Sequence, residues 1–310
     1  MTEYDCRTFP GGVWVLQSLL GLEYMPFSLR LAHFIPSGSA HIPVATYPEF
    51  ESLVRAEIID EAGNVDPIVT DWLTVISRAD LEVQLTVRRP GYEPATVVEI
   101  VTVICKMDCW IAGITRTPAS PERRAQVAEE IGFAGDPKDL PPEWVDEIRI
   151  FPIAEVSGEQ AQAEAIAAAL LTELGDYPPA NIDGFNVEFN SFLHASGTAA
   201  GDPEVFTDLL AQQGISQQQI AALTETMALD RSALAVVSAR HVWPDTTPEE
   251  RSVARTTTVA DSSAGRISMS QSISQDGNWW LSVWPGHRST VESDITDLVA
   301  GVLATPAPTR

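Results

Sequence analysis

The chain has 310 residues, 45% of them apolar and 20% charged, and carries 43 acidic against 19 basic side chains for a formal net charge of -24. Such a composition belongs to a globular protein that can bury one large or two modest cores, and its negative field argues against nucleic-acid phosphates and anionic membrane surfaces as partners. Three cysteines, the closest two spaced C-x3-C at Cys105 and Cys109, support neither a disulfide framework nor a zinc knuckle.

Near the start, "VWVLQSLLGL" is apolar, but no basic segment precedes it and Gln17 and Ser18 interrupt it. Neither a signal peptide nor a membrane span is indicated, and the chain is expected to be cytosolic. Thr46 to Glu49 reads as a capping box ahead of Phe50, Leu53, Val54 and Ile58, which predicts a short amphipathic helix to about Asp60. Asp66 before Pro67 is a start signal for a second helix, with Val69, Trp72, Leu73 and Ile76 on one stripe, ending near Arg78. "LEVQLTV" then alternates with period two from Leu81 to Val87, "RPGYEP" is a turn, and "TVVEIVTVI" and "CWIAGITR" continue an antiparallel meander. Residues 117 to 146 are rich in proline and predict a connecting excursion with one short helix around Glu122 to Ile131. "EIRIFPIAEV" predicts a strand and Glu159 to Leu174 an alanine-rich helix stopped by Gly175.

A similar order then returns. "GISQQQIAALTETMA" opens on Ser216 as N-cap and places Ile220, Leu223 and Met227 on one face, a shift of 151 from Val69, Trp72 and Ile76. "ALAVVSAR", "SVARTTTVAD", "RISMSQSI" and "DGNWWLSVW" follow as strands, with Asp276-Gly277 as a type I′ hairpin signal. The last helix opens on a capping box from Ser289 to Glu292 and turns Val291, Ile295, Leu298, Val299 and Val302 inward, and the tail "TPAPTR" is expected to be disordered. The expected architecture is α+β, with two pseudo-symmetric halves, 1–175 and 176–310, around a central antiparallel sheet flanked by helices.

Catalytic chemistry is not written in this chain. There is no G-x-S-x-G elbow, G-x-G-x-x-G, P-loop or H-E-x-x-H, and His33, His41, His194, His241 and His287 are scattered without ligand-spaced partners. Cys105 falls on a buried strand and reads as an inert core thiol. The pairs Glu129 with Glu130 and Asp294 with Asp297 read as solvated charges on wet helix faces. No cofactor and no metal are expected. From Ile150 to Asp230 there are 12 acidic and no basic residues, which reads as a solvated acidic surface.

Surface for protein recognition remains. Three of the eight tryptophans lie within residues 279–284; each has roughly 200 Å² to cover, and leaving all three in water would cost on the order of 10 kcal/mol. Alternation places Trp280, Ser282 and Trp284 on one face and Trp279, Leu281 and Val283 on the other, one for the core and one as the floor of a partner groove, without deciding which. The loops "RRPGYEP" and "HVWPDTTPEER" combine arginine with aromatic residues, the types that anchor interfaces.

"GVWVLQSLLGL", "IIDEAGNVDPIVTDWLTVISRADLEVQL", "NIDGFNVEFNSFL", "LLAQQGISQQQIAAL", "GRISMSQSI" and "GNWWLSVWPG", in this order and over roughly Phe9 to Leu303, resemble the EspG family of mycobacterial type VII secretion chaperones. The resemblance implies a non-catalytic cytosolic chaperone. Its partner would be the apolar helical tip of the PPE subunit of a PE/PPE heterodimer, which it keeps soluble and hands to the secretion apparatus. Carried over by position, Arg88, Arg89, Tyr92, Arg240, Trp243 and Arg251 become candidate partner contacts; Trp280 and Trp284 are added to them as a candidate groove floor, with the exposed face of their strand left undecided. The chain departs from the family in a shorter first loop and in residues 117–146, which look like an added segment. The resemblance leaves open a homodimer of unloaded chains. Two other readings are a scaffolding or regulatory module with the same fold and another partner, and an enzyme using the cleft between the halves.

Overall fold

Asp66 starts a helix as the sequence predicts, its carboxylate accepting from the backbone N–H of Ile68 at 2.8 Å and of Val69 at 3.2 Å. A computed structural model of the chain describes residues 5–31, 43–93, 96–199, 202–242 and 256–305. The tail "TPAPTR", apart from Thr305, lies outside them. By contact density the chain divides into two units, one made of Met1–Gln84, Glu99–Gly158 and His241–Asp245, the other of Leu85–Val98, Glu159–Arg240 and Thr246–Arg310.

The first unit runs β1 (Cys6–Thr8), α1 (Pro10–Leu20), α2 (Pro48–Arg55), α3 (Pro67–Ser77), the start of β2 (Leu81–Pro90), β3 (Val97–Met107), β4 (Trp110–Thr117), α4 (Pro121–Glu130), α5 (Pro142–Val145) and β5 (Glu147–Glu155). Its strand order is β1-β5-β4-β3-β2. The pairs β1 with β5, β5 with β4 and β4 with β3 are antiparallel, as a meander requires. The helices bury their apolar stripes on one sheet face: Val13 and Leu16 of α1, Leu53 of α2 and Val69, Leu73 and Ile76 of α3 share a core with Val103, Cys105, Ile114, Ile148 and Ile150.

Two local signals give way here. Thr46 does not cap α2; its hydroxyl donates to the Pro43 carbonyl at 2.7 Å, and the helix starts at Pro48, whose fixed φ presets the first turn. That helix also stops at Arg55, because Glu57 turns left-handed at φ 57. The excursion of residues 117–146 builds a small core of its own from Val127, Ala128, Leu140 and Val145. Buried Asp146 ties it to β4, accepting from Arg116 Nε at 2.9 Å, Arg116 Nη2 at 2.7 Å and the Ala119 N–H at 3.1 Å.

The second unit runs from the end of β2 through α6 (Glu159–Leu174), β6 (Phe185–Glu188), α7 (Phe189–Ala199), α8 (Pro203–Ala211), α9 (Gln217–Met227), β7 (Ala233–His241), β8 (Thr256–Ser262), β9 (Gly265–Ile273), β10 (Trp279–Pro285) and α10 (Arg288–Leu303). Its strand order is β2-β7-β8-β9-β10-β6, antiparallel from β7 onward. Ser216 caps α9 in a full capping box with Gln219. Ile220 and Leu223 are buried as predicted, but Met227, in the last position of the helix, is 56% exposed and Thr226 takes the inward place. Ser289 does not cap α10. That helix begins two residues earlier, with His287 at the cap and no side-chain hydrogen bond there. The Asp276-Gly277 turn is not type I′, which needs positive φ at both central residues. Only Gly277 has it, at φ 84, and residues 274–278 form a longer loop closed by the Ser274 N–H on the Asn278 carbonyl at 2.9 Å.

Register assigns the two faces of this sheet. Val187, Leu281, Val283, Ile267 and Ala260 lie on one face and pack with Ala195, Phe206, Leu210, Ile220 and Leu223 of α7, α8 and α9. On the opposite face Ala235, Val237, Thr257, Val259 and Ser268 are buried, where α10 packs on β8 and β9 with α6 beside it.

Candidate partner-binding surface

Among the described residues no group of three or more His, Cys, Asp or Glu side chains converges as a metal ion would require. His33 and His41 lie outside the described residues, His194 is exposed beside Thr198, His241 Nδ1 sits 3.4 Å from the Asp80 carbonyl, and His287 occupies the start of α10. Cys105 is fully buried, and burial with the nearby Asp5 and Asp66 charges pushes the Cys6 thiol up to about 12. A small cleft of about 210 Å³ is lined by Leu171, Asp176, Tyr177, Pro178, Arg266 and Arg288. Arg266 is already held there by Asp261 at 2.6 and 2.8 Å and by the Gly175 carbonyl at 2.8 Å.

One carboxylate departs from its expected place. Asp294 is half-buried rather than wet, turned onto the sheet, where its Oδ2 accepts from the Ser268 hydroxyl at 2.5 Å. Burial raises its carboxyl above the ordinary 3.8; the hydrogen bond from Ser268 opposes this, and the Asp297 charge one turn away adds to it. Glu129 and Glu130 are exposed, as a solvated charge run would be.

The predicted contact residues that are described fall at separate places on the second unit. Arg88 and Arg89 are exposed at the end of β2 and, as consecutive strand residues, point to opposite faces. Tyr92, in the turn that follows, is 56% exposed. Arg240 is half-buried near the end of β7, and by alternation from Val237 and Ala239 it shares the face of α7, α8 and α9. Trp243 and Arg251 lie outside the described residues. Trp280 and Trp284 sit on β10, three strands from β7, a separation of roughly 14 Å at the usual strand spacing.

For the tryptophan strand, the structure decides the parity. Leu281 and Val283 are buried at 7% and 0%, so the Trp279 side of β10 faces the helical core. Trp280, Ser282 and Trp284 lie on the opposite face with Ser268, Ser270 and Ser272 of β9 and Asn186 and Glu188 of β6. Buried positions on this face run from β7 to Ser268. Beyond them Trp280 and Ser282 are half-buried and Trp284 is 44% exposed. The result is a strip of aromatic and hydroxyl groups: apolar enough to gain from being covered, and supplied with donors and acceptors for a polar rim. Arg240 is on the other face, so the sheet does not gather the predicted contacts into one patch.

Sequence reasoning assigned no element to residues 176–213 and so missed β6, which borders this strip, and α7 and α8, which pack on the opposite face of the sheet. Gly184, ahead of β6, was missed with them: a Cβ there would stand 2.0 Å from Cε3 of Trp284. A glycine next to a four-residue alternating run was the available signal, and it is a weak one.

A family model described as the EspG family matches residues 10–297. Two relatives, the ESX-2 secretion-associated proteins EspG2 of Mycobacterium tuberculosis strains CDC 1551 / Oshkosh and ATCC 25618 / H37Rv, are each 25% identical over 290 residues, covering 93% of this chain and 92% of their own length. A solved structure of the Mycobacterium tuberculosis type VII secretion system chaperone EspG5, in complex with a PE25-PPE41 dimer, matches with a TM-score of 0.66 and 18% identity, covering 96% of each chain. At that identity the likeness speaks for the fold.

Proposed function

Since the chain belongs to the EspG family, we propose that it is a secretion-associated chaperone that binds a PE/PPE heterodimer and keeps it soluble for a type VII secretion system. The family match over residues 10–297 carries this reading, and the solved EspG5 complex with PE25-PPE41 supports the kind of cargo. The chaperone works in the cytoplasm, without catalysis and without a cofactor. It engages the apolar helical tip of the PPE subunit.

The strip of Trp280, Ser282 and Trp284 suits such a partner. Two indoles offer area to an apolar helix end, while the serine row and Asn186 satisfy polar atoms around it. Arg88 and Arg89 at the end of β2 and Tyr92 in the turn after it contribute beside the strip, as do Trp243 and Arg251 of the β7–β8 connection; Arg240, on the opposite face of β7, meets the partner only outside the strip. The chain's own charge of -24 keeps the unloaded protein soluble. A PE/PPE pair co-expressed with this chain should co-purify with it, and replacing the apolar residues of the PPE tip by serine and glutamine should abolish co-purification. Retention of the polar-tip pair would remove the tip from the interface.

A further inference from the structure

Trp284 is held from below by a loop that a helix on the opposite sheet face controls. Ring atoms Cε3 and Cζ3 of Trp284 pack so closely on Gly184 that a Cβ there would lie 2.0 and 2.3 Å from them. No real Cβ tolerates such distances, so the absence of a side chain at 184 sets the indole's position. The residues before Gly184 are tied to the first turn of α9. Gln218 Nε2 donates to the Asn181 carbonyl at 2.5 Å and Gln219 Nε2 to the Asp183 carbonyl at 3.0 Å. Gln219 is bound at both ends of its amide, because Oε1 also accepts from the Ser216 N–H at 2.9 Å and the Ser216 hydroxyl at 2.8 Å. One amide therefore closes the N-terminus of α9 and fixes the residue next to Gly184.

We propose that Gln219 is a positioning residue for Trp284: it sets the 181–184 loop, and through Gly184 the orientation of the indole on the open strip of the sheet. The consequence for cargo affinity rests on the proposed function; the positioning itself does not. Glutamate at 219 separates the two tasks of this side chain. Its carboxylate can still accept from Ser216, as in the common form of the capping box, but it cannot donate to the Asp183 carbonyl.

The test uses the full chain labelled with 6-fluorotryptophan, which keeps the fluorine off the two ring atoms nearest Gly184. The fluorine resonance that disappears in Trp284→Phe belongs to Trp284. In Gln219→Glu and in Gly184→Ala that resonance should move or broaden while the other tryptophan signals outside the unit stay in place, with Tm within about 3 °C of the parent chain. An unmoved Trp284 resonance in Gln219→Glu overturns the proposal even where Gly184→Ala moves it, because the alanine acts on the indole by direct contact. Affinity for the co-expressed PE/PPE pair should fall about threefold to tenfold in Gln219→Glu, the range of one lost hydrogen bond. A moved resonance with unchanged affinity upholds the positioning role and counts against Trp284 as a cargo contact.

Discussion

Asp294 shows how a single residue can escape a sequence pattern. Its spacing from Asp297 on a helix suggests two wet carboxylates, but α10 packs so that Asp294 meets Ser268. Because its folded carboxyl lies above the ordinary 3.8, the folded chain is penalised for the ionised form. The stability associated with the neutral form is present below the unfolded value and is lost as pH rises through the folded one. Asp294→Asn, which keeps an acceptor for Ser268, should raise Tm, with a gain that grows as pH rises above about 4 and levels off beyond the folded value. A gain confined to acid pH would contradict the burial argument. Thiol labelling gives a second residue-scale check. Cys6 and Cys105 are buried, and the Cys6 thiol is pushed up to about 12, so only the half-buried Cys109 should react quickly with a maleimide in the native chain. The tryptophan row was half legible: alternation separated the two faces, but which one meets the helices depends on register with β9 and β6, which only pairing reveals. Trp284→Ala should weaken cargo binding by about 1–3 kcal/mol with little change in Tm, read by titration calorimetry and thermal melting.

At the scale of elements, strong local chemistry was readable and weak chemistry was not. Asp66 with Pro67, and Ser216 with Gln219, place a cap acceptor directly before a helix, and both act as predicted. At Thr46 and Ser289 the expected box does not form, because the helices begin instead at Pro48 and at Arg288. The helix α7 carries no Ser, Thr, Asp or Asn cap signal. Glu188 serves instead, accepting from the Ser191 hydroxyl at 2.6 Å, the Ser191 N–H at 2.7 Å and the Asn190 N–H at 3.2 Å; the hydroxyl foremost holds its carboxyl below the ordinary range. That substitution hid the helix, and β6 is too short for alternation to register. The excursion between β4 and β5 depends on one buried carboxylate. Asp146→Ala would leave Arg116, whose side chain is 14% exposed, without the carboxylate oxygen that accepts from its Nε and Nη2, at a cost of about 3–5 kcal/mol. A fall in Tm with new protease cleavage between residues 118 and 145 is the expected outcome. Unchanged cleavage there would mean that the Val127, Leu140 and Val145 core holds the segment alone.

For the whole molecule, the ordered motifs from Phe9 to Leu303 placed the chain in the right family, and the family model matches 10–297. The α+β reading with an antiparallel sheet flanked by helices holds within each unit. Motif order survives because it records which elements follow one another. The contact surface was less legible, because it depends on which strands become neighbours and which face each residue takes. Arg240 and Trp284 illustrate this, lying on strands separated by β8 and β9 and on opposite faces. The proposed role is tested most directly by the solution mass of the chain co-expressed with a PE/PPE pair from its own genome, measured by light scattering after size-exclusion chromatography. A single species is predicted, with a mass equal to one 33.6 kDa chain plus one PE and one PPE subunit. Elution of the chain free of every such pair would contradict it.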